Sequence, residues 1–360
     1  MSSPFKSLQG ETLKGRFLIQ DFLEKGGMSS IYLAWDQIDK RHVVVKTLPR
    51  ELADHPKLIE RTEREGKAIA SLNHPNIIRI YDHFKIDDGR PAIVLDFMQG
   101  GSIRTLLSEY QEKNRAMPID YALSLMIPII DAMSFAHAIQ IIHRDLKPTN
   151  ILLHHDRRSA VVADLGVARN LLESRITKTN AVLGTPYYMS YEQAAGREID
   201  ARTDIYAIGV ILYEMITTRR PYHVNNIADL LSAMQTQTPY PVTKLRQSAS
   251  PKLEAVIHKC LQIKADDRYQ TMTLLLNDLK EAREHQSTYS YQPDPSNPTP
   301  PPHNPNDISP NTGATQPQQM GHVPDPHATG SRSGIILGVI AALVFLAFVA
   351  LILFLMGVFG

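Results

Sequence analysis

Apolar positions in the first hundred residues come in short runs. Phe17-Leu18-Ile19-Gln20-Asp21-Phe22-Leu23 reads as a strand that breaks at Gly26-Gly27, and Ile31-Tyr32-Leu33-Ala34 resumes it. Val43-Val44-Val45-Lys46 and Ile93-Val94-Leu95-Asp96-Phe97-Met98 are further runs of strand length, and residues 58–72 have helical character between them. Beyond residue 103 the spacing lengthens. Residues 103–110, 119–138, 253–261 and 271–283 read as helices, with a kink expected at Pro128, where one backbone donor is missing. Only Ile151-Leu152-Leu153 interrupts them as a strand. A β-rich part followed by a helical part predicts an α+β architecture.

The pattern changes again after residue 285. Residues 286–330 hold eleven of the 24 prolines, no Lys or Arg, and little apolar content. Such a stretch buries too little surface to offset its ordering entropy, so residues 286–334 read as a Pro-rich disordered linker. Residues 335–359 then carry no charge, and as a helix they span about 37 Å, more than the ~30 Å hydrocarbon core. They read as one C-terminal transmembrane helix, a tail anchor. Residues 1–10 lack a signal peptide's apolar core. A net charge of +1 gives no electrostatic case for nucleic-acid binding. The single cysteine, Cys260, excludes an intrachain disulfide and a cysteine-based zinc cluster.

One loop concentrates chemistry. His143-Arg144-Asp145-Leu146-Lys147-Pro148-Thr149-Asn150 places a carboxylate, an ammonium and a carboxamide together, and Ala163-Asp164-Leu165-Gly166 adds a second carboxylate before a glycine. Phosphoryl transfer needs a proton acceptor, cations on phosphate and oxygen ligands for Mg²⁺. Asp145 suits the first, Lys147 the second, and Asn150 with Asp164 the third. A solvated polar loop is the plain alternative, and the whole octapeptide followed by Asp-Leu-Gly argues against it. The loop resembles the catalytic loop of protein kinases, and Lys147 resembles the serine/threonine branch. Similarity to the bacterial eukaryotic-like serine/threonine kinases covers residues 16 to about 284.

That resemblance implies a two-lobed kinase-like fold, residues 16–285, with a β-rich small lobe (16–98) and a larger helical lobe (99–285), after a lead-in at 1–15. It implies ATP and Mg²⁺ in the cleft. The glycine loop, Leu23, Glu24, Gly26, Gly27, Met28, Ser29 and Ile31, would cover the phosphates, although only the central glycine of the family pattern survives. Lys46 would hold the α- and β-phosphates and pair with Glu65. Backbone at Asp96 and Met98 would bind adenine beside Leu95. His143, Ile69, Ile80 and Leu165 would stack between the lobes, and Asp204 would brace the catalytic loop. In the activation loop Thr177 and Thr179 are autophosphorylation candidates that Arg144 and Arg169 would hold. Thr185 would contact Asp145 and Lys147. Glu192 would pair with Arg268, while Tyr191 replaces the family's proline. The implied partners are protein substrates with Ser or Thr acceptors, a membrane, and a second copy through the small lobe. The implied place is the cell membrane, single-pass, with the kinase domain cytoplasmic. A membrane-tethered ATP-binding pseudokinase scaffold is the rival, resting on Glu24, Ser29 and Tyr191.

Overall fold

In the computed structural model, residues 8–25, 29–48, 72–165 and 186–290 are described. They all belong to Met1–Asp294, the first of two units into which the chain divides. Its first half is a six-stranded antiparallel sheet in the order β1-β2-β3-β4-β6-β5. The strands are β1 (Thr12–Leu13), β2 (Phe17–Lys25), β3 (Ser30–Asp36), β4 (Arg41–Thr47), β5 (Ile80–Lys85) and β6 (Pro91–Asp96).

Period-two alternation decides what each face does. Tyr32, Ala34, Val43, Val45 and Val94 point into a small core with Phe17 and Ile19. Ile31, Leu33, Val44 and Lys46 alternate with them and stay half-buried, and the register sets Ile31 against Lys46 and Leu33 against Val44. This second face looks onto the cleft. Trp35 lies opposite His42 with ring centroids 4.9 Å apart, and His42 lies 6.2 Å from Phe97, just past β6.

Residues 8–15 correct the expectation of a loose lead-in. Leu8 and Leu13 are buried in the small core and β1 pairs with β2. A two-residue strand has no periodicity to read, so burial reveals it where pattern could not.

The turn after β3 is closed by Asp36, which is fully buried. Arg16 donates to both its oxygens at 2.8 and 2.7 Å, and the N–H groups of Ile38 and Asp39 add bonds of 3.1 and 3.2 Å. The hydrogen bonds from Arg16, working against burial and aided by those N–H groups, lower its carboxyl from 3.8 to about 2. A depressed carboxyl contributes stability in full above its unfolded value and loses it as pH falls through the folded one. The melting temperature should therefore decline between about pH 4 and pH 2, and part of that decline should vanish in Asp36→Asn; parallel melting curves for the two across this window would contradict it.

The second half is helical: α1 (Ile103–Glu112), α2 (Ile119–Ala138), α3 (Tyr191–Ala194), α4 (Arg202–Thr217), α5 (Ile227–Thr236), α6 (Val242–Leu245), α7 (Pro251–Cys260) and α8 (Met272–Thr288). Side-chain caps set several starts: Ser102 for α1, Asn226 for α5, Ser250 before Pro251 for α7, and Thr271 for α8. All but the first residue of α4 is buried, as an element apolar on every side requires, and α2, α7 and α8 close around it. Gly209 permits this, since a Cβ there would lie 2.5 Å from that of Cys260.

α2 continues through Pro128. Among the described residues it is the one helix long and apolar enough to cross a membrane, yet ten of its residues are buried in the helical core. α8 runs to Thr288, so the first residues assigned to the linker belong to the domain. Gln286 fastens that end, accepting from Ser250 N and donating to Ser248 O, both at 2.7 Å. The span read at 335–359 and the linker beyond residue 290 lie outside the described residues.

A two-stranded ribbon, β7 (Ile151–Leu153) with β8 (Ala160–Val162), forms the floor of the cleft. Val162 accepts from Ile78 N and donates to Asn76 O, and Asn76 reaches Ala160 O, so the chain entering β5 is tied to the helical half. Gly100 seals the far side: its N–H donates to Leu153 O at 3.0 Å, and an added Cβ would collide with the carbonyl of His154.

Candidate active site

The loop 143–150 joins α2 to β7, and Asp204 at the start of α4 holds its beginning. This fully buried carboxylate accepts from His143 N and Arg144 N, each at 2.9 Å, and lies 2.8 Å from His137 Nε2. With a carboxylate opposite, that ring nitrogen is the donor. Arg144 is left-handed, with φ +64°, a conformation that needs such anchoring in a residue with a Cβ. His143, fully buried, sits 3.0 Å from Ala163 O and packs as scaffold. Of its expected stack, Ile80 and Leu165 lie in or against the large core, and Ile69 lies outside the described residues.

Asp145 and Lys147 face each other, Nζ to Oδ2 at 2.8 Å, with side chains 30% and 36% exposed. Asn150 donates from Nδ2 to Asp145 O at 2.8 Å, which turns its Oδ1 the other way. Across the cleft, Lys46 Nζ meets Asp164 Oδ1 at 2.5 Å. Desolvation pushes the Asp164 carboxyl up, but the Lys46 ammonium outweighs it, aided by its hydrogen bond, so the group stays below its ordinary range. Asp164 also holds a positive φ, +60°. Among the described residues no three His, Cys, Asp or Glu side chains converge as a metal cage. One carboxylate, Asp164, and one amide oxygen, that of the buried Asn150, instead fit a hard cation that keeps waters and phosphate oxygens as its other ligands.

A cluster of apolar side chains lies near these charges. Ile78, Val161 and Ala163 form a small cluster with Leu95, Met98 and Leu152 packed on it, and Val44 faces Leu95 across β4 and β6. Asp96 N donates to Arg79 O and Phe97 N to the Asp96 carboxylate, whereas Met98 makes no hydrogen bond to another described residue. Apolar side chains of this kind beside a backbone edge at Met98 are the lining that a planar heterocycle takes. Of the residues singled out in the sequence, Leu95 and Met98 pack on this cluster and Asp96 lies between them in the chain, whereas no sequence motif assigns such a role to Val44, Ile78, Leu152 or Ala163. Leu23 and Glu24 are exposed at the end of β2, and Ser29 and Ile31 are half-buried.

Beside Asp145 a small pocket is lined in part by Lys147, Tyr188, Met189, Gln193 and Thr203. Tyr188 donates to the buried Glu214 at 2.5 Å, and Arg104 and Arg220 share the same carboxylate at 3.0 and 3.3 Å. Glu192 and Arg268 pair as expected, with bidentate contacts of 2.7 and 2.9 Å. Burial pushes the Glu192 carboxyl up and Arg268 more than reverses it. Tyr191 occupies the first position of α3, where proline also fits, and is held by Arg197 over its ring and Gln235 on its hydroxyl. Gly26, Gly27, Met28, Glu65, Arg169, Thr177, Thr179 and Thr185 lie outside the described residues.

Known proteins resemble this chain. The family described as the protein kinase domain matches residues 18–279. The serine/threonine-protein kinase PrkC of Bacillus subtilis is 36% identical over 276 residues, 76% of this chain and 42% of PrkC. PknB of Mycobacterium leprae is 34% identical over 271 residues, 74% of this chain and 43% of PknB. The chain thus spans under half the length of these relatives. The crystal structure of the Mycobacterium tuberculosis PknI kinase domain superposes with a TM-score of 0.60 at 22% identity, over 76% of this chain and 98% of that one, which speaks for the fold.

Proposed function

The chain belongs to the protein kinase family, and from that premise we propose that it transfers the γ-phosphoryl group of ATP to Ser or Thr hydroxyls of proteins. The observation that carries this is the convergence, from three separated segments, of Lys46, Asp164 and the Asp145–Lys147 pair around one cleft. Asp145 orients the acceptor hydroxyl and takes its proton. Lys147, beside it, stabilises charge on the phosphoryl group in flight, and Lys46 binds the phosphates that stay behind. Adenine packs on the apolar cluster at Met98 and Leu152, under Val44 and Ile31. Glu65 supports Lys46, and the glycine loop from Leu23 through Gly26, Gly27 and Met28 to Ile31 covers the phosphates. Asn150 and Asp164 are the side chains that would hold Mg²⁺, whose contribution is charge neutralisation on the phosphates.

The remaining parts of the proposal rest on sequence. Residues 335–359 anchor the chain in the cell membrane by a single span, and the proline-rich stretch before them is its tether. ATP chemistry places the domain on the cytoplasmic side. Thr177 and Thr179 are autophosphorylated and order their loop, Thr185 contacts Asp145 and Lys147, and a second copy meets the first through the small lobe.

Incubating the full chain with γ-labelled ATP, Mg²⁺ and a generic protein acceptor should yield phosphothreonine or phosphoserine, and chelating the metal should remove the signal. ATP binding with no transfer to any acceptor would instead support the scaffold reading.

A further inference from the structure

Gln193 lies 49 residues from Arg144 in sequence, yet its Nε2 donates to the Arg144 carbonyl at 2.7 Å. The other end of the same amide, Oε1, accepts from Ser190 N at 3.1 Å. This orientation is forced, because the Ser190 N–H can only donate and the Arg144 carbonyl can only accept. The carbonyl it holds belongs to the peptide that joins Arg144 to Asp145. The N–H of that peptide points to His143 Nδ1 at 3.3 Å, and the Arg144 N–H is held by Asp204. Arg144 itself is left-handed, at φ +64°, so the peptide must be kept against a local preference for other conformations. Asp204 and His143 hold it from the helical core. Gln193 holds the carbonyl from the segment that also supplies Tyr188 and Met189 to the pocket beside Asp145.

We infer that Gln193 is a positioning residue that couples the acceptor-side segment 186–193 to Asp145 by fixing the Arg144–Asp145 peptide through its carbonyl. The inference deepens the phosphoryl-transfer reading and rests on Asp145 as the group that meets the acceptor hydroxyl. Displacing a reacting group by about 1 Å costs up to ~100-fold in rate, so losing this tether affects turnover before it affects nucleotide binding.

Two substitutions in the full chain separate the tether from its side effects. Gln193→Glu keeps an oxygen for Ser190 N and removes the N–H from Arg144 O, but adds a charge near Asp145. Gln193→Met adds no charge and removes both bonds. Each is expected to lower kcat by about ten-fold or more, with KM for ATP within about two-fold of the parent. Each is also expected to speed hydrogen exchange in the peptide covering residues 143–147, while Gln193→Glu leaves the melting temperature unchanged. Parent-like kcat in Gln193→Met would overturn the inference, because a loss confined to the glutamate would come from its charge. Exchange in 143–147 equal to the parent in both variants would overturn it too. If the parent transfers no phosphate, the phosphoryl-transfer reading fails, and the exchange measurement alone decides whether Gln193 fixes the loop.

Discussion

Asp145→Asn should leave a protein that binds ATP and transfers nothing measurable, a loss of about 10³-fold or more in kcat. The substitution is nearly isosteric. Its side-chain oxygen can still face Lys147, now 2.8 Å from the carboxylate, and its backbone carbonyl still accepts from Asn150. What disappears is the capacity to take a proton and the negative charge that orients the acceptor hydroxyl, and general-base contributions of this kind are worth roughly 10²–10⁴. Nucleotide affinity should stay within about two-fold, because Lys46, Asp164 and the apolar cluster at Met98 are untouched. Turnover with labelled ATP, set beside calorimetric ATP binding, checks both halves. A variant retaining a tenth of parental turnover would remove Asp145 from this role.

The largest expected loss of stability comes from Arg268→Met. The guanidinium is fully buried and makes a bidentate pair with Glu192, then spends its remaining donors on the carbonyls of Gln262, Ile263 and Arg202. Methionine fills most of the volume and strands the Glu192 carboxylate together with three carbonyl groups. Removing one partner of a buried pair costs about 3–5 kcal/mol. For a domain of this size that corresponds to a fall of roughly 10 °C in melting temperature. Removing both partners, as in Arg268→Met with Glu192→Gln, should recover part of it, since no charge is then left buried. A double variant less stable than Arg268→Met would contradict this account.

The parts of the molecule that were legible in sequence are those written contiguously. The octapeptide 143–150 carries its acid, amine and amide within eight positions, and the helix read at 119–138 matches α2 because its apolar run is long. Glu192 with Arg268 and the bracing role of Asp204 came through family resemblance, and the structure brings each pair together. Other features depend on register between distant segments. Val44 alternates with Val43 and Val45, which point into the small core, and Leu152 and Met98 come to pack on one cluster only through the fold. Ser190-x-x-Gln193 has the form of a helix capping box, which accounts for the bond from Ser190 N to Gln193 but not for the 2.7 Å bond from Gln193 to Arg144. The helix end at Thr288 was missed because a tertiary bond from Gln286, rather than a glycine or proline, sets how far α8 persists.

Trp35 is the only tryptophan in the chain, so all indole emission arises from one place. That place is separated by a single imidazole, His42, from Phe97 in the segment between the two halves of the molecule. The protein therefore carries its own optical probe, with no label to attach. On the proposed reading a nucleotide seated against Met98 acts on the residue beside Phe97, so adding ATP is expected to change the indole emission, with no other chromophore of its kind to interfere.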